Sequence, residues 1–179
     1  SNILIVVGYK AEMFRKYEAD DVTLIVNKDY EFTASMGSLA LAKDYVKEDF
    51  LLIESDTFYE RRLIEQLAAR TEGNCLSMTE ESGSGDECFM ETKNGFVTKI
   101  TKDRHRVCHF EGEMIGVSRI TLDTFEMLVN AWEHASNPYL NYEYLLMDET
   151  EPLDRPYIRF TNVIWGDVDC DKDFRKLEN

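Results

Sequence analysis

Asp49-Phe50-Leu51-Leu52-Ile53-Glu54-Ser55-Asp56-Thr57-Phe58-Tyr59-Glu60 is the stretch on which the reading of this chain turns. The apolar run Phe50 to Ile53 reads as a strand buried on both faces, as in the interior of a parallel sheet. It stops at Glu54-Ser55-Asp56, and from Glu60 to Arg70 the apolar residues take helical spacing. Ligands of open α/β sheets bind at the carboxyl ends of the strands, where paired carboxylates can hold a divalent metal against a phosphate. The competing reading makes Asp56 the cap of the helix that follows. A second acidic group, Asp167-Val168-Asp169, tips the balance toward the metal.

Upstream, Ile3 to Val7 and Val22 to Val26 read as strands. Helical stretches follow them, Lys10 to Glu18 with Met13, Phe14 and Tyr17 on one face, and Leu39 to Val46. Strands alternating with helices predict a parallel sheet with right-handed crossovers. Downstream the texture changes. Asn74 to Met78 is a strand, Glu80 to Glu87 an acidic turn, and Cys88–Thr92 with Phe96–Thr101 a hairpin closed by Asn94-Gly95. Short strands at Val107–Phe110 and Met114–Val117 extend this antiparallel part. Helices are expected at Leu122–His134, Asn141–Met147 and about Lys172–Leu177, and a strand at Tyr157–Ile164. With no repeat or linker, residues 1–179 read as one domain.

The 179 residues suffice to bury a sizeable core, and 44% apolar with 31% charged content fits a folded protein. The formal charge is −15, from 35 acidic and 20 basic residues. Such a surface repels polyphosphate backbones, which excludes nucleic acid as a partner and asks a small anionic ligand to bring a cation. The four cysteines are scattered without metal spacing and read as reduced thiols. His105 and His109 are four apart, but in a stretch that alternates like a strand, so cross-strand or exposed positions are expected rather than zinc ligation. No 18-residue apolar run or basic leader occurs, so a cytoplasmic protein without a membrane partner is expected.

Ile5-Val6-Val7-Gly8-Tyr9, Glu54-Ser55-Asp56, Ser84-Gly85-Asp86-Glu87, Gly116-Val117-Ser118, Tyr142-Glu143-Tyr144 and Trp165-Gly166-Asp167-Val168-Asp169 follow in a telling order. Together they resemble the nucleotidyltransferases that load phosphocholine or 2-aminoethylphosphonate onto CTP, in particular the phosphonate branch. Members of that branch occur alone or fused to an aminotransferase or a phosphomutase. The resemblance covers nearly the whole chain. It implies an α/β nucleotidyltransferase fold, GT-A/Rossmann-like, with a mixed, mainly parallel sheet flanked by helices and an antiparallel extension. It also implies Mg2+, CTP as donor, and in-line attack of the acceptor oxygen on the α-phosphate with release of pyrophosphate. Asp56 and Asp169 match the two metal-binding aspartates, and Glu54 and Asp167 their orienting partners. Their carboxylates are then expected about 4–6 Å apart, given Mg2+–oxygen distances near 2.1 Å.

Tyr142, Glu143, Tyr144 and Trp165 offer aromatic faces and a carboxylate, the chemistry that holds an ammonium group. Core packing is the alternative for each ring. Glu87 is a further candidate for the amine, and Asn27 and Ser38 match polar acceptor-pocket positions. Lys10, Lys28 and the Arg61-Arg62 pair read as surface charges. The family pattern opens with a strand and a Gly-rich loop, roughly LAAGxGSRL, then a lysine in a PK turn, and nothing here matches either. The chain is therefore read as a fragment, inactive alone, whose open edge beside Ile3–Val7 invites a homo-oligomeric or other strand partner. The rivals are a sugar-1-phosphate nucleotidyltransferase and a non-catalytic module on the same fold.

Overall fold

The computed structural model describes residues 2–147 and 154–168. Asp169 and the helix expected at 172–177 lie outside the described residues. In chain order the strands are β1 Ile3–Val7, β2 Val22–Val26, β3 Phe50–Ile53, β4 Thr57–Tyr59, β5 Cys75–Thr79, β6 Phe89–Lys93, β7 Phe96–Thr101, β8 Gly112–Ile120, β9 Tyr157–Arg159 and β10 Trp165–Asp167. The α-helices are α1 Ser35–Ala40, α2 Arg61–Ala68, α3 Leu122–Glu133 and α4 Tyr142–Leu146. They fall into two compact units, Ser1–Glu48 with Leu122–Glu151, and Asp49–Thr121 with Pro152–Asn179.

In the first unit β1 and β2 pair in parallel, from Ile3 opposite Val22 to Val7 opposite Val26, with the bounds the β-branched runs predict. The stretch between them is a 3₁₀ helix, Ala11–Tyr17, and buries none of its residues. The apolar face expected there fails because a 3₁₀ turn eclipses positions i and i+3. Phe14 thus meets Tyr17, ring centroids 6.3 Å apart, rather than a core. The next helix starts earlier than expected, as α1, and tightens into a 3₁₀ turn at Leu41–Asp44. Met36, Leu39, Phe125, Leu128 and Leu146 form its buried layer, with α1 packed on α3.

In the second unit the strand order is β7-β6-β8-β5-β9, and β3 also pairs with β8. β8 is therefore the central strand, nine residues of which all but Arg119 are buried. The central role expected for Phe50–Ile53 is corrected: β3 is half-buried, with Ile53 41% exposed. β8 hides from a periodicity search because Gly112, Glu113, Gly116, Ser118 and Arg119 interrupt its apolar run. Its glycines are needed for close approach, since a Cβ at Gly112 would lie 2.5 Å from the Thr79 carbonyl oxygen. The α/β class and the mixed sheet are as expected, but the balance of directions is not mainly parallel. Among the described strands β1–β2 and β5–β9 run parallel and the remaining pairs antiparallel.

The Asn94-Gly95 hairpin forms as expected, with both residues at positive φ, 54° and 84°. No strand forms at Val107–Phe110. There the backbone N–H groups of Cys108 and His109 donate to the Glu91 carboxylate instead of to a ladder. Of the expected strand Tyr157–Ile164 only Tyr157–Arg159 forms, as β9; Asn162 follows at φ 50°, and β10 starts beyond it at Trp165. Leu63 and Leu67, one turn apart on α2, pack with Cys75, Ile115, Val117 and Phe160, and Leu51, Tyr59 and Trp165 lie against this cluster. No helix among the described residues is long and apolar enough to cross a membrane.

Candidate active site

At the end of β3 the Glu54 N–H donates to the Gly116 carbonyl at 2.7 Å, so the chain leaves the sheet beside β8. The Glu54 side chain lies over Gly116, where an added Cβ would sit 2.6 Å from Glu54 Oε2. Only glycine admits that carboxylate. Asp56 follows in an exposed turn, and the chain then extends as β4 before α2 begins at Arg61. Asp56 is thus not the cap of that helix; Glu60 stands at the position before its first turn.

β10 pairs antiparallel with β4, placing Asp167 opposite Thr57 and Trp165 opposite Tyr59. Thr57 Oγ1 donates to Asp167 Oδ1 at 2.8 Å, and the Val168 N–H donates to the Asp56 carbonyl at 2.8 Å. The two acidic stretches that stand far apart in the sequence are brought side by side at one end of the two-stranded β4–β10 sheet. Trp165 is half-buried against the Leu63–Phe160 cluster.

The approach to β10 is fixed by Arg62, which sequence reasoning left on the surface, and by Glu60. Glu60 and Arg62 form an ion pair at 2.8 Å. Arg62 Nη2 donates to the carbonyls of Thr161 and Asn162 at 3.1 and 2.5 Å, and Glu60 Oε1 accepts the Ile164 N–H at 2.7 Å. Arg61, by contrast, pairs with Glu65 along the exposed face of α2 at 2.7 Å. Nothing in the dipeptide tells the two arginines apart; only the segment 161–164, which returns beside α2, does.

The loop from Glu80 to Glu87 is fastened at two points. Glu113, 2% exposed on β8, accepts from the Ser82 N–H at 2.7 Å and from Ser82 Oγ at 3.1 Å. Asp86 pairs with Lys102 at 2.9 Å. Burial holds the Glu113 carboxyl above the ordinary glutamate range; the Ser82 hydrogen bonds oppose this, and the charges of Glu87 and Asp167 add to it. Glu87 is half-buried at the end of this loop.

The first unit carries the other predicted residues. Asn27 is buried, and its Nδ2 donates to Thr33 Oγ1 and Ser38 Oγ, each at 3.1 Å. Its Oδ1 accepts the Asp29 N–H at 2.9 Å. Asn27, Thr33 and Ser38 thus form one hydrogen-bonded knot. Ser35 Oγ accepts the Tyr142 N–H at 3.1 Å and lies 3.4 Å from Asn141 Oδ1 and 3.5 Å from Glu143 Oε2. The Tyr142 ring is 2% exposed and fills the core instead of offering a face, whereas Tyr144 is exposed. Trp165 and Glu87 belong to the second unit.

The carboxylates of the second unit's acidic end offer only hard oxygen donors, which suit Mg2+ rather than a thiophilic metal. Among the described residues no group of three or more His, Cys, Asp or Glu side chains is arranged to hold a metal ion. His105 lies in a 3₁₀ turn and His109 in a loop, both exposed, and no disulfide joins the described cysteines.

No family model matches the sequence. The chain is 29% identical over 80 residues to the CMP-5'-(3-aminopropyl)phosphonate synthase of Streptomyces rubellomurinus, a match that covers 42% of this chain and 13% of that protein. It spans only a small part of that relative's length. Among solved structures it is similar to the CTP:phosphocholine cytidylyltransferase of Streptococcus pneumoniae, with a TM-score of 0.76 and 20% identity, over 99% of this chain and 77% of that one. The inositol-1-phosphate CTP transferase of T. maritima also superposes with a TM-score of 0.76, at 18% identity, over 95% of this chain and 71% of that one. The α/β fold is that of the nucleotidyltransferases, as the ordered motifs implied.

Proposed function

We propose that the protein to which this chain belongs transfers CMP from CTP to a small amine-bearing phosphate or phosphonate, 2-aminoethylphosphonate or phosphocholine, and releases pyrophosphate. The observation that carries this reading is the bond from the Val168 N–H to the Asp56 carbonyl, beside the bond from Thr57 to Asp167. It ties the residue before Asp169 to Asp56, as a shared metal site for the two aspartates requires. In this reading Asp56 and Asp169 hold Mg2+, while Glu54 and Asp167 orient them. Bound there, the ion would neutralise charge on the phosphates as pyrophosphate departs. Positioning and charge neutralisation suffice for the step, and no covalent enzyme intermediate is invoked.

The acceptor assignments Asn27, Ser38, Glu87, Glu143, Tyr144 and Trp165 rest on the resemblance, whereas the Tyr142 ring is buried in the core. The CMP-aminophosphonate synthase and the phosphocholine enzyme among the similar proteins support an amine-bearing acceptor. The inositol-1-phosphate enzyme favours the rival, a polyol or sugar phosphate.

A pyrophosphate-release assay tests the proposal on the gene product, with CTP, Mg2+ and each acceptor class. Turnover is expected with 2-aminoethylphosphonate or phosphocholine and not with a sugar 1-phosphate. Asp56→Ala and Asp169→Ala should each abolish it while the protein stays folded; loss of one electrostatic contact to a developing charge typically costs about 10²–10³ in rate. An unaffected Asp169→Ala protein would displace the site, and binding of CTP without turnover would favour the non-catalytic module.

A further inference from the structure

The pairing of β5 with the central strand is regular except at one step. Cys75 stands opposite Arg119 and Leu76 opposite Ser118, and then the register jumps to Ser77 opposite Ile115 and Met78 opposite Met114. The jump passes over Gly116 and Val117. On the other side of β8 the same two residues carry the end of β3. Val117 stands opposite Ile53, and the Gly116 carbonyl accepts the Glu54 N–H at 2.7 Å. The Glu54 side chain occupies the space that a Cβ on Gly116 would need. A bulge disrupts the ladder and a glycine weakens a strand, so neither is explained by the stability of β8. Bulges re-aim the chain beside them, and this one lies against the turn Glu54-Ser55-Asp56. Ser77 fills the step. It is fully buried, and its hydroxyl lies 3.0 Å from the Ile115 carbonyl and 2.5 Å from that of Val117. These two carbonyls turn to β5, while that of Gly116 between them turns to β3. A hydroxyl carries one proton, so the two share it.

Resting on the proposed function, we infer that Ser77 is a positioning residue: its hydroxyl holds the Gly116–Val117 step of β8 in shape, and that step seats Glu54 and the turn that carries Asp56. Ser77 acts through Gly116, whose carbonyl anchors the Glu54 N–H and whose bare Cα leaves room for the Glu54 side chain. Without the hydroxyl, the carbonyls of Ile115 and Val117 lose a donor in a buried strand and turn toward another. The peptide groups of Gly116, which lie between them, turn as well. Loss of a group that orients a site residue typically costs about 10–100-fold in activity.

The test uses the gene product and reads deuterium exchange before turnover. Ser77→Ala should speed exchange of the Glu54 and Thr57 amides about tenfold or more. The first of these is bonded to Gly116, and the second closes the turn on the Glu54 carbonyl at 3.4 Å. The amides of Leu76 and Met114, bonded to the carbonyls of Pro156 and Cys88, should stay protected. Unchanged exchange at Glu54 would overturn the inference. Ser77→Cys keeps the bulk and weakens the donor, so it should speed the same two amides to a smaller extent and decides the matter if Ser77→Ala does not fold. Turnover is then compared in two backgrounds. In the wild type, Ser77→Ala should lower kcat about tenfold or more. In a Glu54→Ala protein, where the group it seats is already gone, the same change should cost less than about threefold. A merely structural role would give equal losses in both backgrounds, and that result would overturn the inference alone. A wild type that turns over no acceptor would overturn the proposed function, and exchange at Glu54 would still decide whether Ser77 holds the seat.

Discussion

The two units solve the same physical problem with unequal success. The first exposes Ile3, Tyr9, Met13, Tyr17 and Val26, each more than half open to solvent. Among the described residues of the second unit, the large apolar side chains exposed are Ile53, Phe96 and Ile164. Strand number explains much of the contrast. A two-stranded sheet has too little face to bury alternate apolar residues, whereas a six-stranded one closes over a continuous cluster. The chemistry of their polar groups differs in parallel. The first unit buries a neutral amide, Asn27, satisfied by Thr33, Ser38 and Asp29. The second buries a carboxylate, Glu113, whose raised pKa also reflects the charges of Glu87 and Asp167.

Truncating equally apolar residues in the two units should break this comparison most sharply. Leu63→Ala or Ile115→Ala removes a fully buried side chain of the second unit and should lower stability by about 2–5 kcal/mol in urea unfolding. Met13→Ala, at an exposed position, should stay within about 0.5 kcal/mol. A Met13→Ala loss as large as that of Leu63→Ala would mean that this face is covered in solution, as expected if the edge beside Ile3–Val7 recruits a second copy. Light scattering on the same samples would show the mass of that assembly.

The next effect belongs to the backbone of β8. Gly112→Ala forces a Cβ to within 2.5 Å of the Thr79 carbonyl and of the Met78 side chain, and backbone cannot swing away. We expect a loss of about 1–3 kcal/mol, read as a lower urea midpoint at unchanged slope. In the first unit, Asn27→Ala strands the Asp29 N–H and frees two hydroxyls, for a similar loss of about 1–3 kcal/mol. An Asn27→Ala protein of normal stability would mean that water replaces the amide in that knot.

How much of this was legible in the residues follows from where their information lies. Ile3–Val7, Val22–Val26 and the Asn94-Gly95 turn announce themselves because their signals are local: β-branched runs and a dipeptide that accepts positive φ. The pairing of Glu54-Ser55-Asp56 with the stretch around Asp167 was legible only through the ordered motifs. The failures share one cause, competition from partners distant in sequence. Glu91 takes the amides that would have made a strand of Val107–Phe110, and Arg62 differs from Arg61 only through carbonyls a hundred residues away. Glu113 sits among the polar and glycine residues that interrupt the apolar run of β8, and nothing local marks it as buried.

The smallest effect offers the finest separation, because two glutamates on paired strands of the second unit are shifted in opposite directions. Glu91 on β6 lies below the ordinary glutamate value, mainly through the His109 N–H, with further help from Cys108 and Lys99 against some desolvation. Glu113 on β8 lies above that value, mainly through burial. A lowered native pKa means that the unfolded chain takes up the proton first. The contribution of Glu91 is therefore present above the ordinary glutamate pKa and fades as pH falls through its own. A raised native pKa means the reverse. Glu113 contributes below the ordinary value, and that contribution is lost as pH rises through its raised pKa. Urea midpoints for wild type, Glu91→Gln and Glu113→Gln, taken from about pH 7 down to about pH 4 across the glutamate range, resolve the two. Wild type should lose ground to Glu91→Gln as pH falls and gain ground on Glu113→Gln over the same steps. Two slopes of the same sign would show that the net charge of the acidic surface, and not these two hydrogen-bonded sites, governs the acid limb of stability.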